Sequence, residues 1–104
     1  MNSITVQELK AWRDSSHPHQ LIDVREDHEI DIVSIDGQRI KMGDILDSLA
    51  DIKKDVDVVV HCRSGARSGA VVQELERQGF TNTFNLQGGI LAWVAEIDQT
   101  LQAY

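Results

Sequence analysis

The segment His61-Cys62-Arg63-Ser64-Gly65-Ala66-Arg67-Ser68 contains the only cysteine of the chain and decides how this sequence is interpreted. The apolar run Val58-Val59-Val60 precedes it, and an unbroken run of this kind is typical of a strand covered on both faces. A helical pattern follows it. The N–H groups at such a helix start favour a bound anion, and two nearby arginines favour the thiolate form of a cysteine. We therefore expect Cys62 to be a nucleophile.

The residues of this loop also have structural alternatives. A lone cysteine after three valines can be a small buried hydrophobic side chain. Arg67 could hold the loop by pairing with a carboxylate instead of binding an anion. Ser68 is expected to cap the following helix rather than to act as a catalytic hydroxyl. His61, at the end of a buried strand, is expected to pack rather than to transfer protons.

Composition predicts a single domain over residues 1–104 that is soluble and located in the cytoplasm. The hydrophobic share of 41% and the charged share of 26% are those of an ordinary globular protein. The net charge of −7 argues against a nucleic-acid partner, because phosphates would be repelled. A single cysteine excludes an internal disulfide and fits a reducing compartment. The sequence has no apolar run long enough for a membrane span and no evident signal peptide.

Strand-like and helical patterns alternate along the chain. The predicted strands are residues 21–24, 32–35, 56–61 and 83–86. The predicted helices begin at a capping box over residues 5–8, run over residues 42–52, extend from a Ser68 cap to a stop at Gly79, and run from a Gly88-Gly89 turn through Leu101. This alternation predicts an α/β fold, a small parallel β-sheet with helices on both faces. Ligands bind at the carboxyl edge of such sheets, where Cys62 falls.

Three further stretches accompany the cysteine loop at characteristic spacing. They are residues 78–82, Gln-Gly-Phe-Thr-Asn; residues 85–93, Asn-Leu-Gln-Gly-Gly-Ile-Leu-Ala-Trp; and residues 21–26, Leu-Ile-Asp-Val-Arg-Glu, followed by Glu29. With these motifs the chain resembles the rhodaneses, a family of sulfurtransferase domains, over nearly its whole length. The resemblance implies a rhodanese-like fold and transfer of sulfane sulfur through a persulfide on Cys62.

The resemblance also implies a set of site residues. Cys62 would be the catalytic nucleophile, and Arg25 would lie at the rim of the pocket. The substrate-binding residues would be Arg63, Ser64, Gly65, Ala66, Arg67 and Ser68. Arginine directly after the cysteine resembles thiosulfate-type members, so the expected partner is a small anionic sulfur donor, with cyanide or a thiol as acceptor. No cofactor and no metal are expected.

The same residues leave room for functions other than turnover of small sulfur donors. The domain could be a sulfur carrier or interaction module that a cysteine desulfurase loads, with a protein as sulfur donor or acceptor and little turnover of small molecules. A phosphatase reaction is disfavoured because cysteine-dependent phosphatases place their arginine one residue further along, where this chain has Ser68. Metal binding by His17 and His19 is disfavoured because a third ligand is missing from the pattern.

Overall fold

The computed structural model describes residues 1–104 and contains one five-stranded parallel sheet. The strands are β1 (Asn2–Ile4), β2 (His19–Asp23), β3 (Gln38–Arg39), β4 (Asp57–His61) and β5 (Thr83–Leu86). Their order across the sheet is β1-β5-β4-β2-β3, which makes β4 the central strand. The predicted α/β class and parallel sheet are therefore confirmed.

Four α-helices and two 3₁₀ turns connect the strands. The helices are α1 (Val6–Asp14), α2 (Asp27–Ile32), α3 (Ala66–Arg77) and α4 (Gly89–Glu96), and the 3₁₀ turns span Met42–Asp47 and Leu49–Asp51. The predicted capping box begins α1, with Thr5 and Glu8 each accepting a hydrogen bond from the other's backbone N–H. None of the helices combines the length and the apolar character required to cross a membrane.

The helices cover both faces of the sheet, as the unbroken valines of β4 indicate. Val58 and Val60 point to one face, where they pack with residues of α3 and of the 3₁₀ turns. Val59 points to the other face and packs with residues of α1 and α4. Because side chains alternate along a strand, burial of all three valines requires a layer on each side. The central strand is thereby fixed, and so is the position of Cys62 at its carboxyl end.

The predicted strand at residues 32–35 is wrong. Ile32 ends α2, and the chain after it is extended but pairs with no strand until Gln38. The carbonyl of Val33 accepts a hydrogen bond from Arg25 at 2.7 Å, and that of Ile35 accepts one from Arg13. Arginine side chains therefore take the place of a neighbouring strand, although Val33 and Ile35 alternate as they would in one.

Other elements also differ from the predictions. Residues 42–52 form two 3₁₀ turns instead of one α-helix, with bonds such as Ser48 N–H to Ile45 O. The last helix ends at Glu96, and Leu101 lies beyond it in a non-helical segment that still packs on the core. The short strand β1 was not predicted, and it pairs with β5 at the edge of the sheet.

Candidate active site

Cys62 follows β4 directly and lies at the base of the loop that leads into α3. Its side chain is only 1% exposed. Sγ accepts hydrogen bonds from the backbone N–H of Gly65 at 3.1 Å and from that of Ser68 at 3.4 Å. Gly65 adopts a φ of +110°, a conformation that glycine reaches without strain. The loop therefore curls around one sulfur atom with its main-chain donors directed inward.

Ser68 does not cap α3, which corrects the expectation from the sequence. The helix begins at Ala66 with Gly65 as its N-cap, so Ser68 already lies in the first turn, fully buried. Its Oγ is 3.3 Å from Cys62 Sγ and 2.6 Å from Oδ1 of Asn85. A hydroxyl has one proton, so it donates to one of these atoms at a time. A thiolate is the stronger acceptor and draws the proton toward Sγ.

Asn85 belongs to the site although the sequence analysis did not single it out. It lies on β5, beside the central strand, with 8% of its surface exposed. Its Nδ2 donates to the carbonyl of Gly65 at 3.1 Å, while its Oδ1 accepts from Ser68. One amide group thus holds two points of the cysteine loop. The signal in the sequence was a polar residue between the apolar Phe84 and Leu86 of a predicted strand.

The pKa of Cys62 lies below its ordinary value. Burial alone would raise the pKa, because it disfavours the charged thiolate. Hydrogen bonds from the Ser68 side chain and from the N–H groups of Ser68, Gly65 and Ser64 outweigh this effect. These donors stabilise negative charge on sulfur, and a thiolate is the form of cysteine that attacks an electrophile.

The start of α4 holds the cysteine loop from the opposite side. The N–H groups of Ile90 and Leu91 donate to the carbonyls of Cys62 and Arg63 at 3.0 and 3.1 Å. Gly89 has a φ of +58°, and a Cβ atom there would lie 2.4 Å from the carbonyl oxygen of Arg63. The Gly-Gly turn is therefore needed for this close approach, beyond the turn geometry that the sequence indicated.

Arg67 pairs with a carboxylate, which is one of the two alternatives that the sequence left open. Its guanidinium donates to both carboxylate oxygens of Glu29, at 2.7 and 2.8 Å. Hydrogen bonds from Arg67 lower the pKa of Glu29 to about 2. The pair joins the first turn of α3 to α2, so Arg67 positions the loop.

Arg63 remains at the exposed mouth of the loop and contacts Tyr104. Its Nε donates to the main-chain oxygen of Tyr104 at 2.8 Å, and its Nη2 donates to the same oxygen. The guanidinium carbon lies 5.1 Å from the centre of the Tyr104 ring. The sequence did not predict a role for Tyr104, because no local motif links residues that are 41 positions apart.

Arg25 lies beneath the pocket rim rather than on it, which corrects the expectation. It is 0% exposed and forms an ion pair with Asp23, with a 2.8 Å contact between Nη2 and Oδ2. It also donates to the hydroxyl of Tyr104 at 3.0 Å. His61 packs beside Asp23, equally buried, and desolvation lowers its pKa. This buried cluster supports the floor of the site from β2 and β4.

The remaining loop residues contribute backbone more than side chains. Ser64 and Ala66 are exposed, and Gly65 is partly exposed. The N–H groups of Ala66 and Arg67 have no acceptor within α3, because a helix leaves its first-turn donors free. They are available to an anion at the helix start.

No cavity of the protein borders Cys62. The three cavities have volumes of about 390, 320 and 350 Å³ and are lined by other residues. No group of three His, Cys, Asp or Glu side chains is arranged to hold a metal ion. Arg63, Ser64 and Ala66 of the cysteine loop are exposed, so a small anion or another protein can approach the loop from this side.

Comparison with known proteins agrees with this arrangement. The family model of the Rhodanese-like domain matches residues 5–96. The chain belongs to the rhodanese-like family. A solved rhodanese-like domain protein from Staphylococcus aureus is 35% identical, with a TM-score of 0.84, and the match covers 100% of this chain and 99% of that one.

Two curated rhodanese-like relatives differ in length. A protein named "Sulfurtransferase" from Allochromatium vinosum is 37% identical over 94 residues, which are 89% of this chain and 88% of that protein. "Probable adenylyltransferase/sulfurtransferase MoeZ" from Mycobacterium tuberculosis is 36% identical over 106 residues. That match covers 99% of this chain, and the chain spans 27% of the length of that relative. The rhodanese-like domain therefore occurs both as most of a protein and as part of a larger one.

Proposed function

We propose that this protein is a sulfurtransferase that carries sulfane sulfur as a persulfide on Cys62. The observation that carries the proposal is the set of three donors around Sγ, two N–H groups and the Ser68 hydroxyl, at 3.1 to 3.4 Å. They lower the pKa of Cys62 and leave its sulfur ready to attack. Relatives named as sulfurtransferases support the same class of reaction.

The proposed first step uses thiosulfate as sulfur donor. The Cys62 thiolate attacks the outer sulfur of thiosulfate and forms a new S–S bond. The existing bond between the two sulfur atoms of thiosulfate breaks, and its electron pair leaves with sulfite. Arg63, exposed beside the loop, would attract the dianionic donor and stabilise the leaving sulfite. No proton is needed, because one anionic sulfur replaces another.

The persulfide formed on Cys62 has a negative charge on its outer sulfur. The free N–H groups of Ala66 and Arg67 at the start of α3, together with the donors at Sγ, provide a fixed polar environment for this charge. Such donors stabilise an anion without reorganising, since the fold already fixes their directions. Substrate binding by Ser64, Gly65 and Ala66 is accordingly assigned to their backbone.

The second step returns the thiolate. An acceptor such as cyanide or a thiol attacks the outer sulfur, the S–S bond breaks, and its electron pair returns to Sγ of Cys62. Transfer in two halves through a covalent intermediate predicts ping-pong kinetics.

A second candidate is a sulfur carrier that a protein persulfide loads. The exposure of Arg63, Ser64 and Ala66 favours it, because another protein that bears a persulfide can reach this side of the cysteine loop. The combined name of the MoeZ relative is consistent with a sulfurtransferase domain that works beside an adenylyltransferase. A phosphatase reaction has no such support, because the position of the phosphatase arginine holds the buried Ser68.

The experiment that tests the proposal is the intact mass of the protein before thiosulfate, after thiosulfate and after cyanide. A gain of one sulfur atom, removed by cyanide with release of thiocyanate, is expected for the wild type and not for Cys62→Ser. Serine is nearly the same size as cysteine, so that variant should keep the fold. Sulfur gain by Cys62→Ser would refute the mechanism. Loading of the wild type only by a protein persulfide would select the carrier function.

A further inference from the structure

Tyr104 contacts Arg63 of the cysteine loop directly and is connected to Arg67, the other arginine of the loop, through Glu29. Its main-chain oxygen accepts from Nε and Nη2 of Arg63. Its hydroxyl donates to Glu29 Oε1 at 2.9 Å, and the same carboxylate pairs with Arg67. The hydroxyl also accepts from Arg25 at 3.0 Å.

The oxygen of Tyr104 occupies one edge of the Arg63 guanidinium. Nε and Nη2 form the edge with which arginine binds two oxygens of a carboxylate or of another oxyanion. The sulfonate end of thiosulfate and the leaving sulfite are oxyanions of this kind. A donor that uses this edge must therefore displace the Tyr104 oxygen.

The side chain of Tyr104 holds that oxygen in place. The segment after α4 folds back through Leu101, and both Leu101 and Tyr104 pack against the apolar cluster on the α4 side of the sheet. The Tyr104 ring is partly buried and lies near the guanidinium carbons of Arg63 and Arg25, at 5.1 and 5.6 Å. Loss of the ring removes these attachments and releases the main chain beside Arg63.

We propose that Tyr104 is a specificity-determining residue for the sulfur donor, because it occupies the anion-binding edge of Arg63 and competes with small oxyanionic donors. The inference rests on the proposed function, since it concerns the donor of that same site. It assigns Tyr104 a positioning role, exerted through Arg63, and it predicts that weakening the Tyr104 contacts increases the preference of Cys62 for anionic reagents.

Alkylation of Cys62 provides a test that does not require sulfur transfer. Iodoacetate and iodoacetamide are nearly equal in size, and only iodoacetate is an anion. Cys62 is the only cysteine, so the rate of modification by each reagent reports on this site alone. The ratio of the iodoacetate rate to the iodoacetamide rate cancels general changes in accessibility and in thiolate content.

Tyr104→Ala should raise this ratio by about three- to tenfold, the effect of freeing one charge-assisted contact. Tyr104→Phe keeps the ring and loses only the hydroxyl bonds, so it should fold normally and raise the ratio by a smaller factor. Gln102→Ala, at an exposed residue of the same segment, is the matched control and should leave the ratio unchanged. In an Arg63→Ala background, Tyr104→Ala should no longer change the ratio.

An unchanged ratio of alkylation rates in both Tyr104 variants would overturn the inference. It would also be overturned if Tyr104→Ala raised the ratio as much in the Arg63→Ala background as in the wild type. With thiosulfate, Tyr104→Ala should lower KM by a similar factor and leave kcat nearly unchanged. The proposed function fails separately, when the wild type gains no sulfur by mass from thiosulfate or from a protein persulfide. The alkylation ratio still decides the role of Tyr104 in that case.

Discussion

The carboxylate of Glu29 on α2 accepts hydrogen bonds from Nη1 and Nη2 of Arg67 on α3, at 2.8 and 2.7 Å. The two residues are 38 positions apart in the chain, and their ion pair connects the start of the cysteine loop's helix to the neighbouring segment. Because Arg67 is 36% exposed, solvent weakens the pair, and its contribution to stability is modest.

We expect Glu29→Gln to lower the free energy of unfolding by about 1 kcal/mol at pH 7. The pKa of Glu29 is lowered from an ordinary 4.5 to about 2, so the folded state favours the ionised form. This stabilisation is complete above about pH 4.5 and is lost as the pH falls through about 2. Urea unfolding of both proteins between pH 2 and 7 measures it. A gap in stability that stays constant over this range would contradict the assignment.

Ser68→Ala is expected to raise the pKa of Cys62, because it removes the side-chain hydrogen bond that stabilises the thiolate most. The rate of alkylation by iodoacetamide, followed against pH, should then reach its midpoint at a higher pH. Ser64→Ala is the matched control, since the Ser64 side chain is exposed and only its backbone faces the sulfur. Equal profiles for wild type and Ser68→Ala would show that the hydroxyl bonds only Asn85.

Gly89→Ala should destabilise the protein by about 2 to 4 kcal/mol. The φ of +58° is strained for alanine, and the new Cβ would lie 2.4 Å from a backbone oxygen of the cysteine loop. Gly43→Ala is the control, because a Cβ there meets no atom within 4 Å, and it should change stability by less than about 0.5 kcal/mol. Urea midpoints compare the two variants, and similar midpoints would refute the close approach at Gly89.

Arg63→Ala should lower kcat/KM for thiosulfate by about tenfold, which corresponds to the loss of one charge-assisted hydrogen bond to the donor. An alkyl persulfide lacks the sulfonate group, so its use should fall much less. Steady-state rates with both donors, measured with the same acceptor, separate the effects. An equal loss with both would mean that Arg63 shapes the loop instead of recognising charge.

The sequence predicted the centre of the fold better than its edges. Val58 to Cys62 was assigned correctly, because an apolar run followed by a glycine-containing loop has few alternative structures. The alternation of Val33 and Ile35 predicted a strand that is absent, because arginine side chains bind the carbonyls of this segment. Such partners leave no local pattern.

The site was predicted in the same uneven way. Cys62 and the loop glycine follow from local motifs, whereas the role of Ser68 depends on a helix start three residues earlier than expected. Asn85 and Tyr104 reach the loop from β5 and from the segment after α4. Contacts over 17 or more positions are set by the packing of the whole sheet and have no signature in spacing.

The hydrogen bonds from α4 to the carbonyls of Cys62 and Arg63 link the reactivity of Cys62 to the folding of the chain. The cysteine loop obtains its shape from a helix that begins 27 residues later, so an unfolded or half-synthesised chain has only an ordinary thiol. The thiol of Cys62 therefore becomes reactive only after the sheet has formed and α4 has packed against it. The proposed loading of sulfur at Cys62 would thus be restricted to completed molecules, and the rate at which Cys62 gains reactivity during refolding would report on assembly of the last helix.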